Sequence, residues 1–290
     1  MLKLGNTDIN KAYLGSTEIK KAYLGNTLIF DNAGFEAEYQ AVLDKATLEG
    51  FALPSASVQT AQNQFVKDLK DANLWSKLET FGLFTDSNSD FARIDWANPN
   101  NVYSAFNSPS YGTSTGIGFN GVNQYLDTNY QFVSGDTEWE KMQVYWRATN
   151  YSYDGNFRTI YGVQRSTPSA WLGVIRENTN SSSWIGIPSQ VNLLDTNKLI
   201  SDSYYSEGRI DSSRSRVLEN TNTKEENVNS VINPIATDNA FIGAVNLNGS
   251  PTFYWKGEIK YLFQLKDSIG TYEGNDGNIY NALTTYYASV

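Results

Sequence analysis

Residues 254–265 read YWKGEIKYLFQL, with apolar residues alternating after Gly257. Such a run predicts a β-strand, because strand side chains point alternately to two faces and aromatic and branched residues suit a pleated surface. Working outward, short runs of the same kind stand at Met142–Ala148, Thr159–Val163, Trp171–Ile175, Trp184–Ile187 and Ala240–Val245, divided by Gly, Asn, Ser and Asp clusters. Many short strands between turn residues predict an all-β sandwich or jelly roll over residues 80–290. Trp146, Trp171 and Trp255 lie within these runs and are expected in the core or on a sheet face. The polar stretch 195–235 is expected to form two strands around a loop. Gly116-Ile-Gly-Phe119 is not followed by Gly-Lys-Ser/Thr and sits in no βαβ unit, so it is not read as a phosphate loop.

Composition removes several functions. There is no cysteine and no histidine, which excludes disulfides, thiolate chemistry, histidine-ligated metals and histidine acid–base catalysis. The net charge of −9 would repel a polyanion, so no nucleic-acid partner is expected. No stretch reaches the roughly 18 apolar residues of a membrane span, and the N-terminus lacks the apolar run of a signal peptide, so no membrane insertion is expected. Aromatic residues make up 14% of the chain, a content that suits both strands and adhesive surfaces.

Toward the N-terminus the pattern changes twice. Phe35, Tyr39, Val42, Leu43 and Ala46 fall at helical spacing and Gly50 ends the run. Ser55 or Ser57 can cap a second helix running to about Asn73, with Val58, Ala61, Phe65, Val66, Leu69 and Ala72 inward. The short link predicts antiparallel packing, giving a helical neck over residues 32–79. Its acidic residues Glu36, Glu38, Asp44, Glu49, Asp68 and Asp71 are read as solvated helix faces.

Before that lies a ten-residue repeat: KLGNTDINKA (3–12), YLGSTEIKKA (13–22) and YLGNTLIFD (23–31). Each unit reads as two extended runs around a Gly-Asn or Gly-Ser turn. A ribbon of this length buries no core alone, so residues 1–31 are expected to pair with copies of themselves or to dock on another protein. The apolar positions Leu4, Ile9, Tyr13, Leu14, Ile19, Tyr23, Leu24 and Ile29 are the candidate attachment residues. The alternative is that these runs are the first strands of the main domain.

Two segments carry a resemblance. GFNGVNQYLDTN (118–129) looks like the opening strand of concanavalin-like, laminin-G-like lectin domains, and YWKGEIKYLF (254–263) resembles their closing strand. NIYNALTTYY (278–287) looks like their terminal helix. The LGNT/LGST repeats followed by helices and such a sandwich resemble fibre or spike proteins of phages infecting Bacteroidetes-type hosts. The resemblance implies a mainly β chain with an N-terminal β-repeat anchor, a short antiparallel helical neck and a C-terminal concanavalin-like antiparallel β-sandwich. It further implies a homotrimer made in the host bacterial cytoplasm and placed on the virion surface. Expected partners are other copies, capsid, portal or tail proteins, and host cell-surface glycan.

Lectin-type sites use aromatic faces with amides and hydroxyls on loops. The candidate glycan-binding residues are Tyr151, Tyr153, Asp154 and Asn156 in one loop, Trp184 after a second, and Tyr204 and Tyr205 in a third; packing on neighbouring strands is the alternative at each. Asp127, Asp136 and Asp154 could supply oxygens to a structural Ca²⁺, but no compact Asp-x-Asp-x-Asp loop is present, so neither metal ligands nor cofactors are assigned. Glu138 with Glu140, and Asp90 with Asp95, are the formal carboxylate pairs for glycoside hydrolysis. Chance supplies such pairs among 31 acidic residues, so the chain is expected not to be an enzyme. Two other readings stay open: a capsid decoration or minor structural protein without sugar binding, and a polysaccharide-degrading tail enzyme.

Overall fold

A computed structural model describes the backbone of the elements named below, and the side chains at residues 14, 16, 34–131, 143–151, 156, 158–164, 204, 206, 238–265 and 276–290. The chain divides into two compact units, Met1–Ala37 and Glu38–Val290.

In the first unit each sequence repeat forms one antiparallel ladder. Lys3–Leu4 pairs with Thr7–Asp8, Ala12–Leu14 with Thr17–Ile19, and Lys21–Leu24 with Thr27–Asp31. All three share one register beside the turn, with Leu4 opposite Thr7, Leu14 opposite Thr17 and Leu24 opposite Thr27, and the third shifts beyond it, where Ala22 faces Phe30 while Ala12 faces Ile19. Two residues thus stand between each leucine and its partner, the loop length of the tightest hairpins.

The second unit is mainly β, with two sheets facing each other. The first runs, edge to edge, through Asn222–Asn227, Arg214–Glu219, Ser203–Asp211, Gln143–Thr149, Lys256–Leu265, Gly116–Asn120 and Ser110–Gly112. Leu78–Leu83 pairs with the second half of Lys256–Leu265. The second runs through Gln190–Asp195, Ser182–Ile187, Ser169–Arg176, Arg158–Ser166, Asn239–Ile242, Tyr125–Gln131 and Ser104–Phe106. Val245–Leu247 joins it beside Arg158–Ser166 in parallel, so the sandwich is not wholly antiparallel. Stretch 195–235 holds three strands after Gln190–Asp195, not the expected two.

Val144, Trp146, Ala148 and Leu262 of the first sheet meet Leu126, Ile160, Tyr161, Ala240 and Ile242 of the second in the shared core. Simple alternation would put Ile259 on one face with Tyr261 and Phe263. Instead Lys260 is an extra residue, because Arg147 pairs with Tyr261 while Ala148 pairs with Ile259. This bulge turns Ile259 into the inter-sheet core and leaves Tyr261 and Phe263 on the other face.

That other face is covered by helices: α1 (Ala37–Glu49), α2 (Ala56–Asp71) and α3 (Tyr272–Ser289). Phe65 of α2 meets Phe81 at 5.8 Å and Tyr286 of α3 at 5.7 Å, Phe81 meets Phe263 at 5.2 Å, and Tyr39 of α1 meets Trp96 at 5.5 Å. Glu38 at the start of α1 pairs with Lys70 at the end of α2 (2.7 Å), as antiparallel helices allow. The helices expected as a separate neck therefore lie in the same compact unit as the sheets, and the boundary drawn at residues 79/80 cuts through a paired strand. No described helix is long and apolar enough to cross a membrane.

Local sequence accounts for the helix limits. Ser55 Oγ accepts from Val58 N as the N-cap of α2. Gly50, at φ +72°, closes α1: its N–H donates to Thr47 O and that of Phe51 to Ala46 O. This double bond pattern needs a left-handed residue, which glycine adopts without strain.

Candidate functional site

The first sheet's strands Gly116–Asn120, Gln143–Thr149 and Lys256–Leu265 and the second sheet's Ser104–Phe106, Tyr125–Gln131 and Arg158–Ser166 all have one terminus at a common end of the sandwich. Arg158 fixes this end. Its buried guanidinium donates from Nη1 to the carbonyl oxygens of Gly121 and of Tyr254 (2.7 Å for the latter), tying two loops to the start of its own strand. Thr159 N donates to Phe253 O (2.7 Å), and Trp255 N to Gly243 O (2.8 Å). Asn120 Oδ1 accepts from the backbone of Val122 and Asn123, folding the 120–124 turn on itself. Asn150 Nδ2 and Thr149 Oγ1 donate to Glu258 Oε2, the latter at 3.2 Å.

Several residues here hold left-handed backbone: Asn107 (φ 58°), Ser108 (φ 55°), Asn150 (φ 53°) and Phe253 (φ 53°). Asparagine tolerates this through local hydrogen bonds, whereas a phenylalanine there carries strain of about 1–2 kcal/mol. The backbone around Phe253 is held by Thr159 N–H donating to its own carbonyl and by the Trp255 N–H donating to Gly243 O, and Phe253 remains 36% exposed.

Of the expected glycan residues, Tyr151 lies at this end, half-buried, with one ring face stacked on Trp255 at 4.6 Å. Asn156 is exposed. Tyr153 and Asp154 lie outside the described residues. Trp184 is not in a loop but within the strand Ser182–Ile187, opposite Ile175 and Leu193; its side chain is outside the described residues. Tyr204 and Tyr205 are likewise on a strand, Ser203–Asp211. Tyr204 is buried against Tyr145 (6.0 Å) and Tyr280 of α3 (5.5 Å), so it is a packing residue and is withdrawn from the glycan set. The reason is alternation: Tyr204 pairs with Arg147, on the helix-covered face. Trp146, on its strand, and Trp255, one residue before Lys256–Leu265, are both fully buried, as expected of core tryptophans.

Among attachment candidates, Leu4, Tyr13, Leu14, Ile19, Tyr23, Leu24 and Ile29 stand on the hairpin strands, Leu14 being 76% exposed, while Ile9 lies outside the described residues.

The sequence reading missed Phe106, Tyr125, Phe253 and Tyr254. Tyr125 stacks on Phe106 at 4.6 Å and meets Phe241 at 4.7 Å and Tyr254 at 6.3 Å. The signal was present in Phe106-Asn107-Ser108, an aromatic beside an amide and a hydroxyl, the same criterion that selected residues 150–156.

The carboxylates are already occupied. Asp90 pairs with Arg93 (2.8 Å), and Asp95 is buried under hydrogen bonds from Phe81 N, Ala97 N, Thr80 Oγ1 and Asn101 Nδ2. Burial raises the Asp95 carboxyl to about 6 against those hydrogen bonds, which lower it. Asp90 and Asp95 therefore do not face a common cleft; Glu138 and Glu140 lie outside the described residues. Asp127 accepts from Asn129 N and Asn239 Nδ2, and no group of three or more metal-ligating side chains occurs among the described residues. Asp136 and Asp154 lie outside them.

No family model and no curated protein sequence matches the chain. Among solved structures, a mutant of Trypanosoma rangeli sialidase displaying trans-sialidase activity aligns with TM-score 0.51 and 10% identity, over 79% of this chain and 39% of that one. Trypanosoma rangeli sialidase in complex with sialic acid aligns with TM-score 0.51 and 11% identity, over 78% of this chain and 39% of that one. The chain thus matches about two fifths of the length of those structures, and at this identity the likeness is one of fold. It nonetheless corrects the expectation that the chain is not an enzyme. A fold contained in sialidases does not set its owner apart from enzymes, and the absence of histidine does not either, because carboxylates and tyrosines can carry glycoside chemistry.

Proposed function

We propose that the chain is a glycan-recognising virion protein of a phage, its concanavalin-like jelly-roll sandwich offering the Arg158-tied loop end to host-surface glycan. The observation that carries this reading is that one end of the sandwich, tied by Arg158, presents the exposed rings of Phe106 and Phe253 and half-buried Tyr151 beside the amides of Asn107, Asn120, Asn123 and Asn150. Aromatic faces meet sugar C–H surfaces while amides exchange hydrogen bonds with hydroxyls, and rigid presentation lowers the entropy cost of binding. A fold shared with a sialidase solved in complex with sialic acid is consistent with a carbohydrate ligand.

In this reading the hairpins of residues 1–31 attach a homotrimer to capsid, portal or tail proteins on the virion surface, after synthesis in the host cytoplasm. Their shared register offers the same edge three times to a repeating partner. The test is binding of the full chain to host cells before and after removal of surface glycans. Saturable binding lost with the glycan is the expected result; glycan-independent binding, or none, refutes it. Deleting residues 1–31 should abolish incorporation into particles, and incorporation of the deletion variant would refute the attachment role.

A second reading, glycan cleavage, is favoured by the sialidase fold match alone. Release of reducing ends from host polysaccharide by the full chain would establish it.

A further inference from the structure

Phe106 is the last residue of the strand Ser104–Phe106, on the outer face of the second sheet, and is 40% exposed. Behind it Tyr125 lies parallel, with an interplanar angle of 2°, and Tyr125 is itself backed by Phe241 and Tyr254. One face of the exposed ring is therefore stacked on Tyr125, which Phe241 and Tyr254 hold in turn.

The turn that follows is held as firmly. Gln124 Nε2 donates to Asn107 O (3.1 Å) and Ser108 O (2.8 Å), and Asn107 Nδ2 donates to Asn123 O (2.7 Å). Asn120 Nδ2 donates to Asn123 Oδ1 (3.0 Å), extending the network to the next turn. Two consecutive left-handed residues, Asn107 and Ser108, are sustained by these bonds. The exposed Val122 (69%) lies in the adjoining turn.

The two turns beside the ring are held by uncharged groups. The groups that hydrogen-bond the turn are amides and backbone carbonyls, and Asp127, two residues beyond Tyr125, is already bound by Asn239 and Asn129 N–H groups. A flat, exposed aromatic beside amides suits a ligand with one apolar face and a rim of hydroxyls; the cations nearest the 120–124 turn are Lys256, across the sheet from Asn120, and Arg158, whose guanidinium is spent on the carbonyls of Gly121 and Tyr254.

We propose that Phe106 is the stacking platform for an uncharged pyranose ring, with the 107–108 and 120–124 turns supplying its hydrogen-bonding rim. This rests on the glycan-binding reading and adds the place and charge class of the sugar. The experiment titrates the full chain and its Phe106→Ala and Phe106→Trp variants on immobilised lactose, cellotetraose, maltotetraose and sialyllactose, with near-ultraviolet circular dichroism confirming the fold of each. The expected result is that at least one neutral glycan binds, that the alanine variant weakens it about tenfold or more, and that tryptophan restores it. A neutral glycan bound equally by wild type and the alanine variant overturns the platform while leaving glycan binding intact. Binding of sialyllactose alone overturns the neutral class. Failure of the wild type on every glycan overturns the platform, while the host-cell assay separately decides whether the glycan reading survives.

Discussion

The sheet containing Lys256–Leu265 is covered on both sides, by the second sheet on one face and by helices on the other, whereas the second sheet leaves Phe106 of its outer face in solvent. In the covered sheet consecutive residues of Gln143–Thr149 are nearly all buried, and even its polar side chains are inside. Gln143, Tyr145 and Ser206 converge on Asp276 of α3, with Tyr145 OH donating to Asp276 Oδ1 at 2.8 Å. On the second sheet Tyr125 and Phe241 stack in a row that ends in the open at Phe106. The difference separates two uses of aromatic residues. Under the helices they are mortar, locked by mutual packing; at the row's end the same stacking leaves one ring exposed.

The largest expected effect breaks the covered side. Phe263→Ala removes a ring that touches Phe81 and Tyr145, and should cost about 3–5 kcal/mol in a urea unfolding titration. A cost under about 1 kcal/mol would show that the helix layer is not packed as described.

Asp95 tests the same side through pH. Its carboxyl is raised to about 6 by burial, so folding favours the protonated form. Stability on this account is full only below the unfolded value near pH 3.8 and is lost as pH rises toward and through 6, about 3 kcal/mol in all for a shift of about two pH units and about 2 kcal/mol of it between pH 4.5 and 7.5. Wild type minus Asp95→Asn, measured between pH 4.5 and 7.5, should show that decline; parallel curves would refute it.

A smaller effect sharpens the account of the helix layer. Gly50→Ala meets no atom, yet forces alanine to φ +72°, and should cost about 1 kcal/mol. Smallest is Phe106→Ala, expected to change stability by less than about 1 kcal/mol because the ring is exposed, while Tyr125 keeps its other partners. A loss as large as that of Phe263→Ala would make Phe106 a core residue and remove the contrast between the two sheets.

Much of the architecture was legible before any coordinates. The helical spacing of Tyr39, Val42, Leu43 and Ala46 marks the residues that α1 buries, and Ser55 caps α2 as its side chain allows. The runs at 159–163, 171–175 and 184–187 each fall within a strand, that at 142–148 overlaps Gln143–Thr149, and that at 240–245 is divided between Asn239–Ile242 and Val245–Leu247. The site was less legible. Choosing aromatics beside amides found Tyr151 and Asn156 at the loop end, but also Tyr204, which strand alternation turns into the core. It passed over Phe106, whose exposure depends on Tyr125, nineteen residues along the chain. The bulge at Lys260 was equally hidden, since a single extra residue leaves no mark in an alternating run.

The sequence by itself determined the element types and the repeat, because helical and strand periodicities, caps and Gly-Asn turns act over a few neighbouring residues. Only the tertiary structure decided that α1 and α2 cover a sheet instead of standing apart from it, that one face of Tyr151 is spent on Trp255, and that Arg158 gathers the loops of one end. These outcomes depend on contacts between segments tens to hundreds of residues apart. Local propensity carries no information about which of two apolar faces finds a cover first, and burial there is settled by the packing of the whole unit.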